Sequence, residues 1–293
     1  MSKLENVHKL ILGTAQFGLD YGISNTRGQI TQTEVEAILL RAAEAGITTL
    51  DSAAAYGESE TTIGKALQGK SGFSIITKYP PNTPGKSIKQ AFEESLQRLV
   101  QEKVYGYLLH SFSTYETNPA VLDELLQLKA EGKVAKIGVS LYHPSEAETL
   151  LKAAAPIDIL QFPYSVFDRR FESILPELRA KGIETHVRSI YLQGLYFMKP
   201  EAIPAHLQKA APKVKALQQL ATKDKLPLGS MLMGFVLQNE YITNVVVGVE
   251  NLQTLKENIT FASTQLPKEL ILALQDFEEQ DENIILPYNW AKA

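Results

Sequence analysis

The chain has 293 residues, 44% hydrophobic and 21% charged, which is apolar material enough for one large core or two smaller ones. Its 29 Lys plus Arg against 33 Asp plus Glu give a net charge of -4, so there is no electrostatic footprint for nucleic acid and none is expected as a partner. The absence of cysteine removes disulfides, thiolate metal centres and thiol nucleophiles, and points to a reducing cytoplasm; five scattered histidines without HExxH spacing give no reason to expect a metal.

The N-terminal segment turns apolar at once but is too short and Gly-rich for a cleavable signal, and no apolar run approaches the roughly 18 residues of a membrane helix. From there, short β-branched or apolar runs alternate with longer segments of helical periodicity, the pattern of βα units around a parallel sheet. Runs at 10–13 and 48–50 flank a helical segment at 33–45. Runs at 74–77, 104–109 and 136–139 are separated by helical segments at 88–100 and 120–131. Helical segments at 144–153 and 173–180 precede or follow runs at 157–160 and 183–187, and an eighth run lies at 244–247. Gly46, Gly132 and Gly182 each stand between a last helical turn and a strand, where a left-handed residue closes the helix. Eight such units predict a single (β/α)8 TIM barrel over 1–293, with extra helices late in the chain at 189–241 and a C-terminal tail after 263 reaching over the rim. The competing open doubly wound sheet would carry GxGxxG after its first strand, and this chain has GTAQFG there.

A barrel of this kind builds its site at the C-terminal ends of its strands. Four residues stand there: Asp51 after the second run, Tyr56 in the loop that follows, Lys78 after the third run and His110 after the fourth. Taken singly, each has an ordinary reading as a helix N-cap, loop packing, a surface lysine or a hydrogen-bonded structural histidine. Delivered by three consecutive strands about 4.8 Å apart, their side chains can meet.

These four residues, with a DxAxxYG spacing intact in DSAAAYG, resemble the catalytic tetrad of the aldo-keto reductase superfamily, and the resemblance runs over about 10–258. GESETTIGKAL, Gln161 in LQFPYSVFDRR, the RSIYLQGL of 188–195 and the GVENLQTLKEN of 248–258 are similar to further motifs of that family. The resemblance implies an NAD(P)(H)-dependent oxidoreductase that reduces an aldehyde or ketone. Tyr56 would give the proton, and an ammonium at Lys78 within about 4 Å would lower the phenol's pKa. Asp51 would keep that lysine charged and oriented, and a neutral His110 would hydrogen-bond the substrate oxygen. For the cofactor, the resemblance implies Gly13 and Thr14 at the first strand end, Ser140 and Gln161 at the carboxamide and Arg188 against the nicotinamide ring. It implies Ser189, Gln193 and Gly194 along the pyrophosphate, and Gly248, Glu250, Thr254, Glu257 and Asn258 at the adenosine end.

Two departures stand out. Ser140 is followed by Leu141 where the family commonly has Asn, and the eighth-strand loop offers Val249, Glu250 and Asn251 where phosphate-preferring members present Lys or Arg. The family favours NADP(H) and the local chemistry NAD(H); the reading leans slightly to NADP(H), with Lys256 as a compensating cation. Substrate choice is expected from the rim loops at 17–28, which carries Phe17 and Tyr21, at 111–118 and at 191–201, and from the tail, where Trp290 either caps the pocket or packs on the barrel. The opening GTAQFGLDYGISN is similar to relatives in bacterial surface-sugar pathways, which implies a polar, sugar-like carbonyl. Two rival functions remain: a Schiff-base lyase using Lys78 as nucleophile, and a low-turnover cofactor-binding or regulatory protein on the same fold.

Overall fold

A computed structural model describes residues 6–23, 25, 27–70, 72–81 and 85–290. Its strands are β1 (Leu10–Gly13), β2 (Thr49–Asp51), β3 (Ser74–Tyr79), β4 (Val104–Leu109), β5 (Val134–Ser140), β6 (Ile159–Pro163), β7 (Glu184–Arg188) and β8 (Asn244–Gly248). Each pairs in parallel with its neighbour in sequence, and β1 pairs with β8, so the sheet closes into the expected barrel. Helices α1 (Ala15–Gly18), α2 (Gln32–Ala45), α3 (Ser59–Leu67), α4 (Ile88–Leu99), α5 (Phe112–Thr117), α6 (Val121–Ala130), α7 (Pro144–Lys152) and α8 (Leu175–Ala180) fall between the strands up to β7. The three helix-closing glycines adopt the left-handed backbone anticipated for them, with φ of 88° at Gly46, 71° at Gly132 and 70° at Gly182.

Strand bounds move where tertiary pairing overrides local pattern. β3 continues to Tyr79, which puts Lys78 inside the strand rather than past it. The sixth run shifts to 159–163 because the turn at Pro156 leaves Ile157 buried but unpaired with the sheet. The late excursion contains α9 (Ala211–Lys223) and α10 (Leu228–Leu237), and α10 is buried along nearly its whole surface, so it has no polar stripe by which periodicity would reveal it. After β8 come α11 (Leu252–Phe261), α12 (Lys268–Gln275) and α13 (Glu282–Ile285). The tail reaches the rim at the β5 end, where the Tyr288 ring meets Tyr142 edge-on at 4.5 Å. Ser24, Thr26 and the last three residues, Ala291, Lys292 and Ala293, belong to loops expected at the rim and lie outside the described residues.

Alternation along the strands places the site. Ile11, Ile76, Leu108 and Ile159 form an apolar layer closed by Val246. Two residues further on, the same face of each strand carries Gly13, Lys78, His110, Gln161 and Gly248. The hydrophobic layer is thus a floor, and the polar groups stand on it at the C-terminal mouth.

Candidate active site

Asp51 and Lys78 are almost wholly removed from solvent, at 2% and 0% exposure, and are ion-paired at 2.7 Å. Lys78 Nζ also donates to the Ser52 carbonyl at 2.8 Å, and Gln161 Nε2 donates to the other Asp51 oxygen at 2.8 Å. Both oxygens of the buried carboxylate are therefore satisfied, which is the condition for burying such a pair. Tyr56 lies above, its ring centroid 5.2 Å from Lys78 Nζ, and meets the His110 ring edge-on at 5.5 Å.

The electrostatics differ from the expectation at Tyr56. Burial raises its pKa, the Asp51 carboxylate adds to the rise, and Arg188 only partly opposes it. The reason is that the Lys78 charge is engaged by Asp51 and does not act on the phenol as an isolated cation. Burial also pulls Lys78 below the ordinary lysine range, opposed by Asp51. His110 is pushed down to about 3 by burial and by the Lys78 and Arg188 cations, so it is neutral at physiological pH. Its Nδ1 is buried without a hydrogen-bond partner.

Two glycines and a cluster of hydroxyls hold Tyr56. A Cβ added to Gly18 at the end of α1 would lie 1.9 Å from the Tyr56 carbonyl oxygen, and one added to Gly57, where φ is 53°, would lie 2.5 Å from the Gly18 oxygen. The two segments therefore cross in backbone contact that only glycine permits. Beneath them, Thr14 Oγ1 donates to the Asp51 carbonyl at 3.0 Å and lies 2.8 Å from Ser59 Oγ, which in turn is 3.0 Å from Ser52 Oγ. This hydroxyl cluster ties β1, β2 and the start of α3 together.

A cavity of about 580 Å³ runs from Asp51, Tyr56 and His110 to the first turns of α11. Of the residues anticipated at a cofactor, Gly13, Thr14, Ser140, Gln161 and Arg188 line its inner part. Ser189, Gln193 and Gly194 line it along the β7 loop, and Gly248, Glu250, Thr254, Glu257 and Asn258 at its outer end. Gly13 and Gly248 are register partners at the cavity wall between β1 and β8, with the Gln16 side chain packed over Gly248, so a Cβ at Gly248 would lie 3.0 Å from Gln16 Oε1. The β7 loop is conformationally strained, with φ of 65° at Ser189, 47° at Leu192 and 51° at Gln193, a pattern that gathers at ligand-binding loops. Thr254 N–H bonds the Asn251 side chain, which caps α11.

Three anticipated residues lie elsewhere or differently. Lys78 is sealed beneath the cavity and does not line it. Phe17, anticipated at the substrate, is fully buried in the barrel–helix core because α1 turns it inward. Trp290, the other, packs into the same core and donates from its indole to the Ile284 carbonyl at 3.2 Å, which is the packing alternative rather than the cap. Tyr21 does line the cavity; its hydroxyl accepts from Gln193 Nε2 at 3.3 Å, and its pKa is pushed up to about 12 by burial and by Tyr56, against Arg188. Sequence reasoning missed Tyr142, whose ring lies 4.3 Å from the Arg188 guanidinium, while Tyr191 and Phe197, a ring pair at the cavity wall, come from the 191–201 loop anticipated there. The available signal for Tyr142 was its position, two residues beyond the end of β5.

A model of the aldo/keto reductase family matches residues 9–279. Among similar proteins, an uncharacterized oxidoreductase named YqkF from Bacillus subtilis (strain 168) is 26% identical, with 94% of this chain and 98% of that protein covered. The NADH-specific methylglyoxal reductase of Escherichia coli (strain K12) is 25% identical over 81% of this chain and 87% of its own. In fold, the holo form of the aldo-keto reductase AKR11C1 from Bacillus halodurans superposes with a TM-score of 0.77 at 24% identity, covering 92% of this chain and 91% of that one. With the family model spanning most of its length, this chain belongs to the aldo/keto reductase family and is an oxidoreductase.

Proposed function

We propose that the chain reduces an aldehyde or ketone to an alcohol, with hydride from a nicotinamide dinucleotide and the proton from Tyr56. The observation that carries this reading is the sealed Asp51–Lys78 pair beneath Tyr56, at the inner end of a cavity that runs past Gly13, Gly248 and the strained β7 loop outward to α11. A bound reduced nicotinamide supplies the hydride. Gly13, Gly248 and the 189–194 loop would hold the dinucleotide along the cavity, with Glu250, Thr254, Glu257 and Asn258 at its adenosine end.

The chain's own part is proton delivery and charge stabilisation. A phenol whose pKa burial has raised stays protonated at neutral pH, so Tyr56 keeps the proton until a strongly basic oxygen develops on the substrate. The phenolate then left behind has the Lys78 ammonium beneath its ring and the Arg188 guanidinium within electrostatic reach. Gln161 and Lys78 fix the Asp51 carboxylate, and neutral His110 orients the carbonyl. The lyase alternative is disfavoured because a Schiff-base lysine must touch its substrate, and Lys78 is both paired and absent from the cavity wall.

The substrate side of the cavity combines Tyr21, Tyr142, His110 and Gln193, a mixture of rings and hydrogen-bonding groups suited to a polar, sugar-like carbonyl. For the nucleotide, NADP(H) remains slightly favoured. Glu250 opposes a 2′-phosphate, but the Arg27 guanidinium, which donates to the Glu250 carbonyl at 3.1 Å, brings a cation to the same turn. Replacing Glu250→Gln is expected to tighten NADPH about threefold relative to NADH, and Arg27→Ala to do the reverse.

The central test is Tyr56→Phe. Carbonyl reduction, followed at the nicotinamide absorbance, is expected to fall about a thousandfold while nucleotide affinity changes by less than about threefold. Near-normal turnover in that variant overturns the assignment.

A further inference from the structure

Arg188 stands at the end of β7 on the cavity wall. Its guanidinium lies over the Tyr142 ring at 4.3 Å, donates to the Leu141 carbonyl at 3.1 Å and approaches Ser189 Oγ at 3.5 Å. Among the described residues, no carboxylate forms an ion pair with it. The other ionised groups at this end, Lys78 and Asp51, neutralise each other at 2.7 Å. At Tyr56 the Arg188 charge works against the Asp51 carboxylate, and the charges that act on His110 are Lys78 and Arg188, both positive. Glu250 and Glu257 also line the cavity, but at its α11 end. With Lys78 and Asp51 paired, Arg188 is the positive charge at the inner end that no carboxylate pairs among the described residues.

Hydride and proton must reach the two atoms of one carbonyl bond. If Tyr56 delivers the proton, the nicotinamide ring lies within a few Å of the Tyr56 hydroxyl, and so within the reach of Arg188. The ring's two redox states differ by one charge: the dihydronicotinamide is neutral, and loss of its hydride to the carbonyl carbon, with Tyr56's proton going to the oxygen, leaves it cationic. We propose that Arg188 makes this site select the redox state of its cofactor, retaining the reduced nucleotide and rejecting the oxidised one, so that the chain rests loaded with the reduced form. This rests on the reading that the cavity holds a nicotinamide dinucleotide. A unit charge about 6 Å away, at an effective dielectric between that of a protein surface and water, corresponds to roughly a tenfold difference in affinity. Ejection of the oxidised nucleotide after turnover follows from the same charge.

The test compares the dissociation constants of the two members of a matched pair, NADPH with NADP+ and NADH with NAD+, by fluorescence titration and displacement. Within a pair the adenosine and pyrophosphate contacts are identical and cancel. The wild type is expected to bind the reduced form at least tenfold more tightly. Arg188→Met is expected to bring the ratio to about threefold or less, mainly by tightening the oxidised form, and Arg188→Lys, which keeps the charge, to stay within about threefold of the wild-type ratio. A wild-type ratio within twofold of unity overturns the proposal without any variant, and so does an Arg188→Met ratio equal to that of the wild type. Failure of the wild type to bind either nucleotide in either redox state overturns instead the cofactor reading itself, and the proposal with it.

Discussion

His110 is a histidine buried neutral, and that has a consequence for stability that is separate from any role in turnover. Its pKa is about 3 in the folded chain against an ordinary value of 6.5, so between those values the unfolded chain binds a proton that the folded chain refuses. The contribution is fully present above pH 6.5 and is lost as pH falls toward 3. Between pH 7 and pH 5 this one group is expected to lower unfolding free energy by about 2 kcal/mol. Urea unfolding of wild type and His110→Asn at both pH values checks it: the variant should lose about 2 kcal/mol less, and equal losses would remove His110 as the cause. For the same reason, a fall in turnover between pH 7 and pH 5 should not have His110 protonation as its origin. At this scale the sequence made Asp51, Tyr56, Lys78 and His110 legible, because residue type, order and strand position are linear properties. The direction of the Tyr56 shift was not legible, since it depends on how Asp51 and Lys78 share their charges across a distance of 2.7 Å.

Gly18 shows how two elements set the position of a third. A Cβ there would lie 1.9 Å from the Tyr56 oxygen, 2.3 Å from the Ser59 nitrogen and 2.8 Å from the Glu58 nitrogen, all backbone atoms that cannot rotate away. Gly18→Ala must therefore shift α1 or the 56–59 turn. Because misplacement by about 1 Å is enough to lose a hundredfold in rate, turnover is expected to fall by about that factor, with nucleotide binding much less affected. Gly72→Ala is the control, since nothing lies within 4 Å of its Cβ, and it should leave both unchanged. If Gly18→Ala retains wild-type turnover, the crossing does not position Tyr56. The pattern of elements was largely readable: strands show as apolar runs, and α4 shows through a polar face opposite Phe92 and Leu99. α10 was not readable, because LGSMLMGFVL is buried on all sides and carries no stripe. Phe17 was placed on the wrong side of its segment, and Trp290 stayed open between cap and packing, for a related reason: sequence tells that a loop reaches the rim, not which way a side chain within it turns.

At the scale of the molecule, Arg170 joins parts of the chain that are far apart in sequence. Its guanidinium binds both oxygens of Asp168 at 2.9 Å, Glu282 of the tail at 2.8 Å and the Tyr142 carbonyl at 3.1 Å. It thereby ties the loop after β6 to the tail and to the residue that carries Arg188's stacking partner. Asp168 is buried, with 1% exposure, whereas the Glu282 side chain is 48% exposed, so the two ion pairs differ in weight. Removing the cation from a buried carboxylate leaves an uncompensated charge and is expected to destabilise by about 3 kcal/mol in Arg170→Met, whereas Glu282→Gln, at an exposed pair, should change stability by less than about 1 kcal/mol. Function separates the roles further. Releasing the Tyr142 backbone loosens a cavity wall without touching Asp51, Tyr56 or Lys78, so Arg170→Met is expected to raise the carbonyl KM about tenfold while kcat falls less than about threefold. Urea unfolding and steady-state kinetics on both variants check this. Equal stabilities would show that the Asp168 pair carries no special weight, and a loss confined to kcat would show that Arg170 acts on the proton-donor end rather than on the wall formed by Tyr142.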